Sequence, residues 1–372
     1  MQDVEFWNNK LLYAAKFGEK NSVEECLDNG AQVNCQDYES YGWTPLHYAA
    51  RYTHTAIVDM LLKHGAIIDS KDCLQYTPLH GAVLNGNKDM VDLLLSKGAT
   101  VDSKTIIEED TPLHDAAKNG HTDTVNLLIS LGAVLDCKNR EEDTPLHDAA
   151  KNGHTDTVNL LIFSGAGLEI QNREGFTALH RAAMCGQTAV VDLLISKGAI
   201  IDIKDIRGWT PLHWAASNGC TTVVDKLIKN KAIIDSNDKE GRTPYLVAGN
   251  DQIKEIIKDA QDHISAGLPL EFFQLDKLSA SVFTDLLKED SYELFELPSM
   301  LLGEKDTGKS TIARFLVGKD PIDRLSTDDV DLSSNLSFFD DKTEEWLCGN
   351  QDFTMEDIIV SRCIKYFNKQ GV

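Results

Sequence analysis

The residues best suited to chemistry lie late in the chain. Gly303 to Ser310 reads GEKDTGKS and matches G-x-x-x-x-G-K-S without a mismatch. Such a loop presents backbone N–H groups to phosphate oxygens at a helix N-terminus, where the helix dipole also favours negative charge. Lys309 would reach the β and γ phosphates and Ser310 would hold Mg2+, with Gly303, Asp306, Thr307, Gly308 and Thr311 completing the cradle. That chemistry needs a buried strand before the loop and a helix after it. LPSMLL, residues 297–302, is suited to the strand, and TIARFLV, residues 311–317, to the helix.

A second candidate is a row of imidazoles: His47, His80, His114, His147, His180 and His213. Each follows Thr-Pro-Leu or Thr-Ala-Leu, so the row is paced by a repeat, whereas a metal's ligands must converge on one point. Asp340, Asp341, Glu344 and Glu345 form a charge run that reads as solvated surface and not as a metal cluster. No Ser-His-Asp or Cys-His set stands apart from the repeating pattern, so no catalysis is expected of this part of the chain. The eight cysteines contain no C-x-x-C pair and mostly occupy small-residue positions. They read as buried thiols in a reducing compartment.

What positions these residues is the repeat itself. EEDTPLHDAAKNGHTDTVNLLI occurs twice without a change, from Glu108 to Ile129 and from Glu141 to Ile162. Its TPLH opening returns, intact or altered, at Thr44, Thr77, Thr111, Thr144, Thr177, Thr210 and Thr243, in steps of 33 residues with one of 34. In the copy at Thr144 the hydroxyl is expected to cap a helix and Pro145 to sit in its first turn. Leu146, Ala149 and Ala150 face inward, Gly153 ends the helix, and a second helix over Thr155–Phe163 carries an apolar stripe. An extended arm then returns to the next TPLH as a finger. Gly42, Gly175, Gly208 and Gly241 suit a tight turn there, but Gln75, Glu109 and Glu142 hold the equivalent places, which predicts strained or reshaped turns.

A 33-residue period with T-P-L-H-x-A resembles the ankyrin repeat. The resemblance implies an all-α repeat solenoid of helix-turn-helix pairs with β-hairpin fingers, acting as a protein-binding scaffold with no chemistry of its own. It also implies that each TPLH histidine hydrogen-bonds the neighbouring repeat. On this reading residues 1–40 form a degenerate N-terminal cap, 41–238 six repeats, and 239–260 a C-terminal cap, since end units must close the stack against water. The concave side in such arrays is lined by the residue before TPLH and the residue after its histidine. Here those are Trp43, Tyr76, Asp110, Asp143, Phe176 and Trp209, with Tyr48, Asp115, Asp148, Arg181 and Trp214. Aromatic ends around an acidic centre suit a partner protein with basic and apolar patches. Trp43 and Trp209 are as readily read as braces within the fingers.

Residues 261–296 read as a linker with short helices, and 333–372 as an acidic tail with a terminal helix. Between them, residues 297–332 form a short, incomplete α/β segment around the GEKDTGKS loop. GKDPIDRLSTDDVDL, which follows that loop, resembles the approach to switch I in Roc-type Ras-like GTPase domains. The resemblance implies GTP with Mg2+ and assigns Thr327 to the metal, although Asp329 stands where the family has Gly. No D-x-x-G or complete N-K-x-D follows, so hydrolysis is not expected. Lys and Arg total 36 against 59 Asp and Glu, a net charge of -23 that opposes phosphate backbones and argues against nucleic acid. Without a signal segment or a long apolar run, a cytoplasmic protein is expected.

Overall fold

The computed structural model describes residues 4–265, 337–340 and 345–348. The chain divides into two compact units, Met1–Gln261 and Asp262–Val372. In the second unit, β1 (Ser337–Asp340) pairs antiparallel with β2 (Glu345–Cys348), Phe338 opposite Leu347. Residues 297–332, with every residue proposed for the phosphate loop and Thr327, lie outside the described residues.

The first unit is a stack of helix pairs. The N-terminal pair is α1 (Val4–Phe17) and α2 (Lys20–Asp28). Six full pairs follow: α3 (Pro45–Arg51) with α4 (Thr55–Lys63), α5 (Pro78–Leu84) with α6 (Lys88–Ser96), α7 (Pro112–Lys118) with α8 (Thr122–Ser130), α9 (Pro145–Asn152) with α10 (Thr155–Phe163), α11 (Ala178–Met184) with α12 (Thr188–Ser196), and α13 (Pro211–Ser217) with α14 (Thr221–Lys229). A short α15 (Pro244–Val247) and α16 (Asp251–Ser265) close the array. First helices pack on first helices and second on second.

The core is periodic because the sequence is. Leu146, Ala149 and Ala150 are buried, as are Leu46, Ala49 and Ala50 and their counterparts in later units. Short alanines let neighbouring first helices approach, so these seven- or eight-residue helices, too short to hold in water, are held by packing. In α10 the apolar stripe is narrower than its composition suggests: Val158 and Leu161 are buried with Thr157, and Leu160 and Ile162 are half-buried. Gly120 serves the stack directly. A Cβ there would lie 2.4 Å from the ring of His154, whose Nε2 meets Lys118 O at 3.0 Å.

The fingers are tight turns and not β-hairpins. Within the array no strand forms among the described residues, apart from one isolated bridge between Asp37 and Trp43. One backbone bond crosses the base of each finger, such as Asn139 N to Asp143 O at 3.0 Å, and in most fingers a second closes the turn inside it, such as Glu142 N to Asn139 O at 2.9 Å. The turn is too short to extend the ladder, because the chain must descend at once into the next first helix. The expected strain is present: Gln75, Glu109 and Glu142 adopt φ of 60°, 58° and 60°, the left-handed conformation that Gly175 and Gly208 hold in their own fingers. In the first finger, Tyr38–Ser40 form one 3-10 turn.

Candidate functional site

The TPLH histidine occupies the third position of each first helix, so its ring turns back over the helix start. In α9, Thr144 N donates to His147 Nδ1 at 3.1 Å, and the Thr144 hydroxyl lies 2.9 Å from the same nitrogen. The histidine thus does much of the capping that composition assigns to the threonine. A ring whose Nδ1 accepts a backbone N–H must carry its proton on Nε2. That Nε2–H donates to the carbonyl of the next finger, Phe176 O, at 2.8 Å. His47, His114, His180 and His213 repeat the bond to Tyr76, Asp143, Trp209 and Arg242 at 3.0–3.2 Å. Burial holds these rings below the ordinary histidine range, His180 at about 4, so they stay neutral. His80 is the exception: its Nε2 is buried and unpartnered. It precedes the one 34-residue step; the Asp110 and Ser103 backbones still act on the ring, against the burial that holds it at about 4.

At the base of every finger but one stands an Asp or Asn that composition alone does not single out; the exception is Thr105, whose hydroxyl accepts Asp110 N at 3.1 Å. Asn139 Oδ1 accepts Glu141 N at 3.1 Å and Asp143 N at 3.0 Å; Asp72, Asn172, Asp205 and Asp238 do the same in their fingers. In Asp72, Asn139, Asn172 and Asp238 the second atom of the group meets the residue before TPLH in the preceding repeat. Where that residue is a tryptophan, the base is an aspartate: Trp43 Nε1 donates to Asp72 Oδ2 at 3.1 Å and Trp209 Nε1 to Asp238 Oδ2 at 2.9 Å. Where it is an aspartate, the base is an asparagine: Asn139 Nδ2 donates to Asp110 Oδ1 at 2.8 Å and Asn172 Nδ2 to Asp143 Oδ1 at 2.6 Å. A buried polar group needs a complementary partner, and this row supplies one from repeat to repeat. The signal is legible from Asn139 onward as an Asx at 33-residue spacing, with Asn 29 positions after Asp110 and Asp143 and Asp 29 positions after Trp209, as Asp72 is after Trp43.

The residues expected to line a binding face are brought together as a continuous layer. Trp43 stacks edge-on against Tyr48 at 5.1 Å, and the Tyr48 hydroxyl donates to Asp37 at 2.5 Å. Burial and that carboxylate push the Tyr48 phenol to about 12. Phe176 meets Trp214 at 5.2 Å, Trp209 meets Trp214 at 4.6 Å, and Trp214 Nε1 donates to Asp205 at 2.9 Å. The two finger tryptophans therefore act as braces. Tyr76 is half-buried beside Asp110 and Asp115, and burial is the first cause of its rise to about 12.

The acidic centre departs from expectation. Asp110, Asp115, Asp143 and Asp148 do gather, but they are 4%, 3%, 5% and 7% exposed, so in this conformation they are not an open acidic face. The reason is position: each sits where a first helix abuts the preceding finger, and the bulk of the next repeat covers it. Arg181 pairs with Asp143 at 2.5 Å and lies 5.1 Å over Phe176. Asp148 stands in the same relation to Asp110, one repeat earlier, and meets a carboxylate where Asp143 meets a cation. Burial, then Asp110 and Asp143, push the Asp148 carboxyl well above the usual range, and burial with Asp110 pushes Asp115 to about 7. The Oδ2 atoms of both are buried without a partner.

Asp110, His114 and Asp148 each place a potential ligand atom within 4.8 Å of the others. The histidine does not suit a metal, because Nδ1 accepts Thr111 N at 3.2 Å and Nε2 donates to Asp143 O at 3.1 Å, leaving no free lone pair.

A solenoid of helix pairs with stitched fingers, five of its six TPLH histidines locking one repeat to the next, defines a class of repeat protein. Residues 11–105, 102–172, 148–239 and 201–262 match the family model for ankyrin repeats (3 copies). The chain belongs to the ankyrin repeat family, whose members are typically protein–protein interaction scaffolds. The human 2-5A-dependent ribonuclease is 42% identical over 59 residues, 16% of this chain and 8% of that protein. Human ankyrin repeat domain-containing protein 40 is 40% identical over 57 residues, 15% of each chain. These matches span a small fraction of the relatives' own lengths. The crystal structure of the human ASB11 ankyrin repeat domain aligns with a TM-score of 0.53 at 25% identity, covering 57% of this chain and 97% of that chain. No helix among the described residues is long and apolar enough to cross a membrane.

Proposed function

We propose that the array is a scaffold that binds another protein along its fingertips and the adjoining first-helix layer, without catalysis of its own. The observation that carries this is the ridge of tips. Each finger is stitched to the next by a backbone bond: Cys73 N to Tyr41 O, Ile106 N to Leu74 O, Arg140 N to Glu108 O, Arg173 N to Glu141 O, Ile206 N to Glu174 O and Lys239 N to Arg207 O, all at 2.7–3.1 Å. The ridge is therefore a fixed surface and not a set of independent loops, which lowers the ordering cost of binding. Its tips expose Tyr38, Tyr41, Ile106, Ile107 and Ile206 beside acidic side chains such as Glu108 and Glu109. Apolar contact area ringed by negative charge suits a partner with apolar and basic patches. A photo-reactive amino acid at Tyr41, Ile107 or Ile206 is expected to capture protein in cells, while the same group at Phe163, exposed at the end of α10, is not. Equal capture at all four positions would remove the reading.

A second reading rests on the complete GEKDTGKS match: a Roc-like segment that binds GTP with Mg2+, without hydrolysis. Fluorescent GTP titrated with Mg2+ against the full chain and Lys309→Ala tests it. Saturable binding lost in the variant supports the reading, and equal signals from both refute it.

A further inference from the structure

The duplicated repeat leaves two buried carboxyl groups unanswered. In the layer where first helices meet fingers, the residue after each TPLH histidine faces the residue before TPLH in the previous repeat. Arg181 answers Asp143 in this way at 2.5 Å, with Asn172 donating to the same carboxylate at 2.6 Å and Phe176 beneath the guanidinium at 5.1 Å. Trp214 answers Phe176 by ring contact. At the duplication, Asp148 faces Asp110, which Asn139 already serves, and Asp115 faces Tyr76. Asp115 and Asp148 are more than nine-tenths buried, and each keeps one carboxylate oxygen enclosed and bonded to nothing.

The nearby cations do not close this gap. Lys118 and Lys151, one turn further along α7 and α9, are exposed and attract the carboxylates only at a distance. Arg51 reaches toward Asp115 across Gly81, but its buried Nη1 has no partner. Gly81, the counterpart of Asp115 one repeat earlier, presents no side chain, and an added Cβ there would lie 3.7 Å from Arg51 Cβ, an ordinary contact.

We propose that an arginine side chain of the bound partner enters this layer between Asp115 and Asp148 and pairs with them, supplying the guanidinium that Arg181 supplies to Asp143. Guanidinium is the fitting cation because its planar fork matches carboxylates and needs little hydration, as the Arg181 arrangement illustrates within the same chain. The proposal rests on the scaffold reading above and narrows its partner to a segment with at least one arginine.

A library of random twelve-residue peptides selected on the full chain, followed by synthesis of the selected peptides with Arg, Lys or citrulline, tests it. Selected peptides are expected to share an arginine whose replacement by citrulline weakens binding roughly tenfold or more, the scale of a charge-assisted pair. Asp115→Asn with Asp148→Asn is expected to cost a similar factor. Asp123→Asn with Asp156→Asn, which removes two exposed charges from second helices, is expected to cost less than about twofold. The two buried asparagines relieve repulsion, so this variant folds, as circular dichroism will report. Peptides that tolerate citrulline, or that bind the Asp115 and Asp148 variant undiminished, overturn the proposal. If those peptides are lost on changing Tyr41 and Ile107 to Ser, the scaffold reading stands and only the arginine site falls. Absence of any saturable peptide overturns both.

Discussion

Asp115→Asn should make the protein more stable at neutral and alkaline pH and leave it almost unchanged in acid. The native carboxyl titrates at about 7 against an ordinary value of 3.8, chiefly through burial and then through Asp110. Below pH 3.8 the folded and unfolded forms both hold the proton and the residue contributes no penalty. As pH rises from there, the unfolded chain releases its proton while the folded chain keeps it, so stability falls until the folded carboxyl ionises near 7. Above that the penalty is constant, about 4 kcal/mol at about 1.4 kcal/mol per pH unit, an upper bound because repeats relax and water enters. The six TPLH histidines act in the opposite sense. Their lowered values mean stability gained above the ordinary histidine range and lost as pH falls below it. They are common to both proteins, so the difference between wild type and variant isolates the aspartate. Urea denaturation at pH 5 and pH 8, followed by tryptophan fluorescence, should show a gap that widens by about 2–4 kcal/mol between the two conditions. Parallel curves, with the same gap at both pH values, would refute the argument that Asp115 is held protonated.

The histidine row predicts unequal losses: His147→Ala should cost about 2–4 kcal/mol in chemical denaturation, since it strands Phe176 O and the start of α9. His80→Ala should cost less, because its Nε2 makes no close bond like the one His147 makes to Phe176 O. Asn172→Asp sets a carboxylate against Asp143 where an amide N–H now donates, and a loss of about 1–3 kcal/mol at pH 8 is expected, shrinking at pH 4; equal losses at both would exclude charge as the cause. Glu142→Gly relieves a left-handed φ of 60° at the loss of one exposed contact to Lys138, and should raise stability by about 0.5–1 kcal/mol. A lower denaturation midpoint in Glu142→Gly would show that the turn is not strained.

Much of the architecture is legible from residues 108–129 and 141–162. A period near 33, a proline inside each helix start and paired alanines dictate short helices that must stack, and the bounds Thr155–Phe163 follow from Gly153 and Gly165 on either side. The left-handed turns at Gln75, Glu109 and Glu142 are legible as well, by comparison with glycines in the same register. The finger form is not. Whether an extended arm pairs into strands depends on how soon the next helix begins, and one bond across the base of each finger leaves no ladder.

The polar layer shows the division most sharply. Sequence by itself determined which residues stand before and after each TPLH, and hence that Asp110, Asp115, Asp143 and Asp148 gather near one another. Only the tertiary structure decided that they are buried, that Asp143 is answered by Arg181 while Asp148 is set against Asp110, and that Asn139 and Asn172 are the donors that make this tolerable. The physical reason is that helix caps and turns act within a few residues, where composition can be read directly. Burial and charge balance are set by residues 29 to 38 positions away, brought into contact only when one repeat closes over the last.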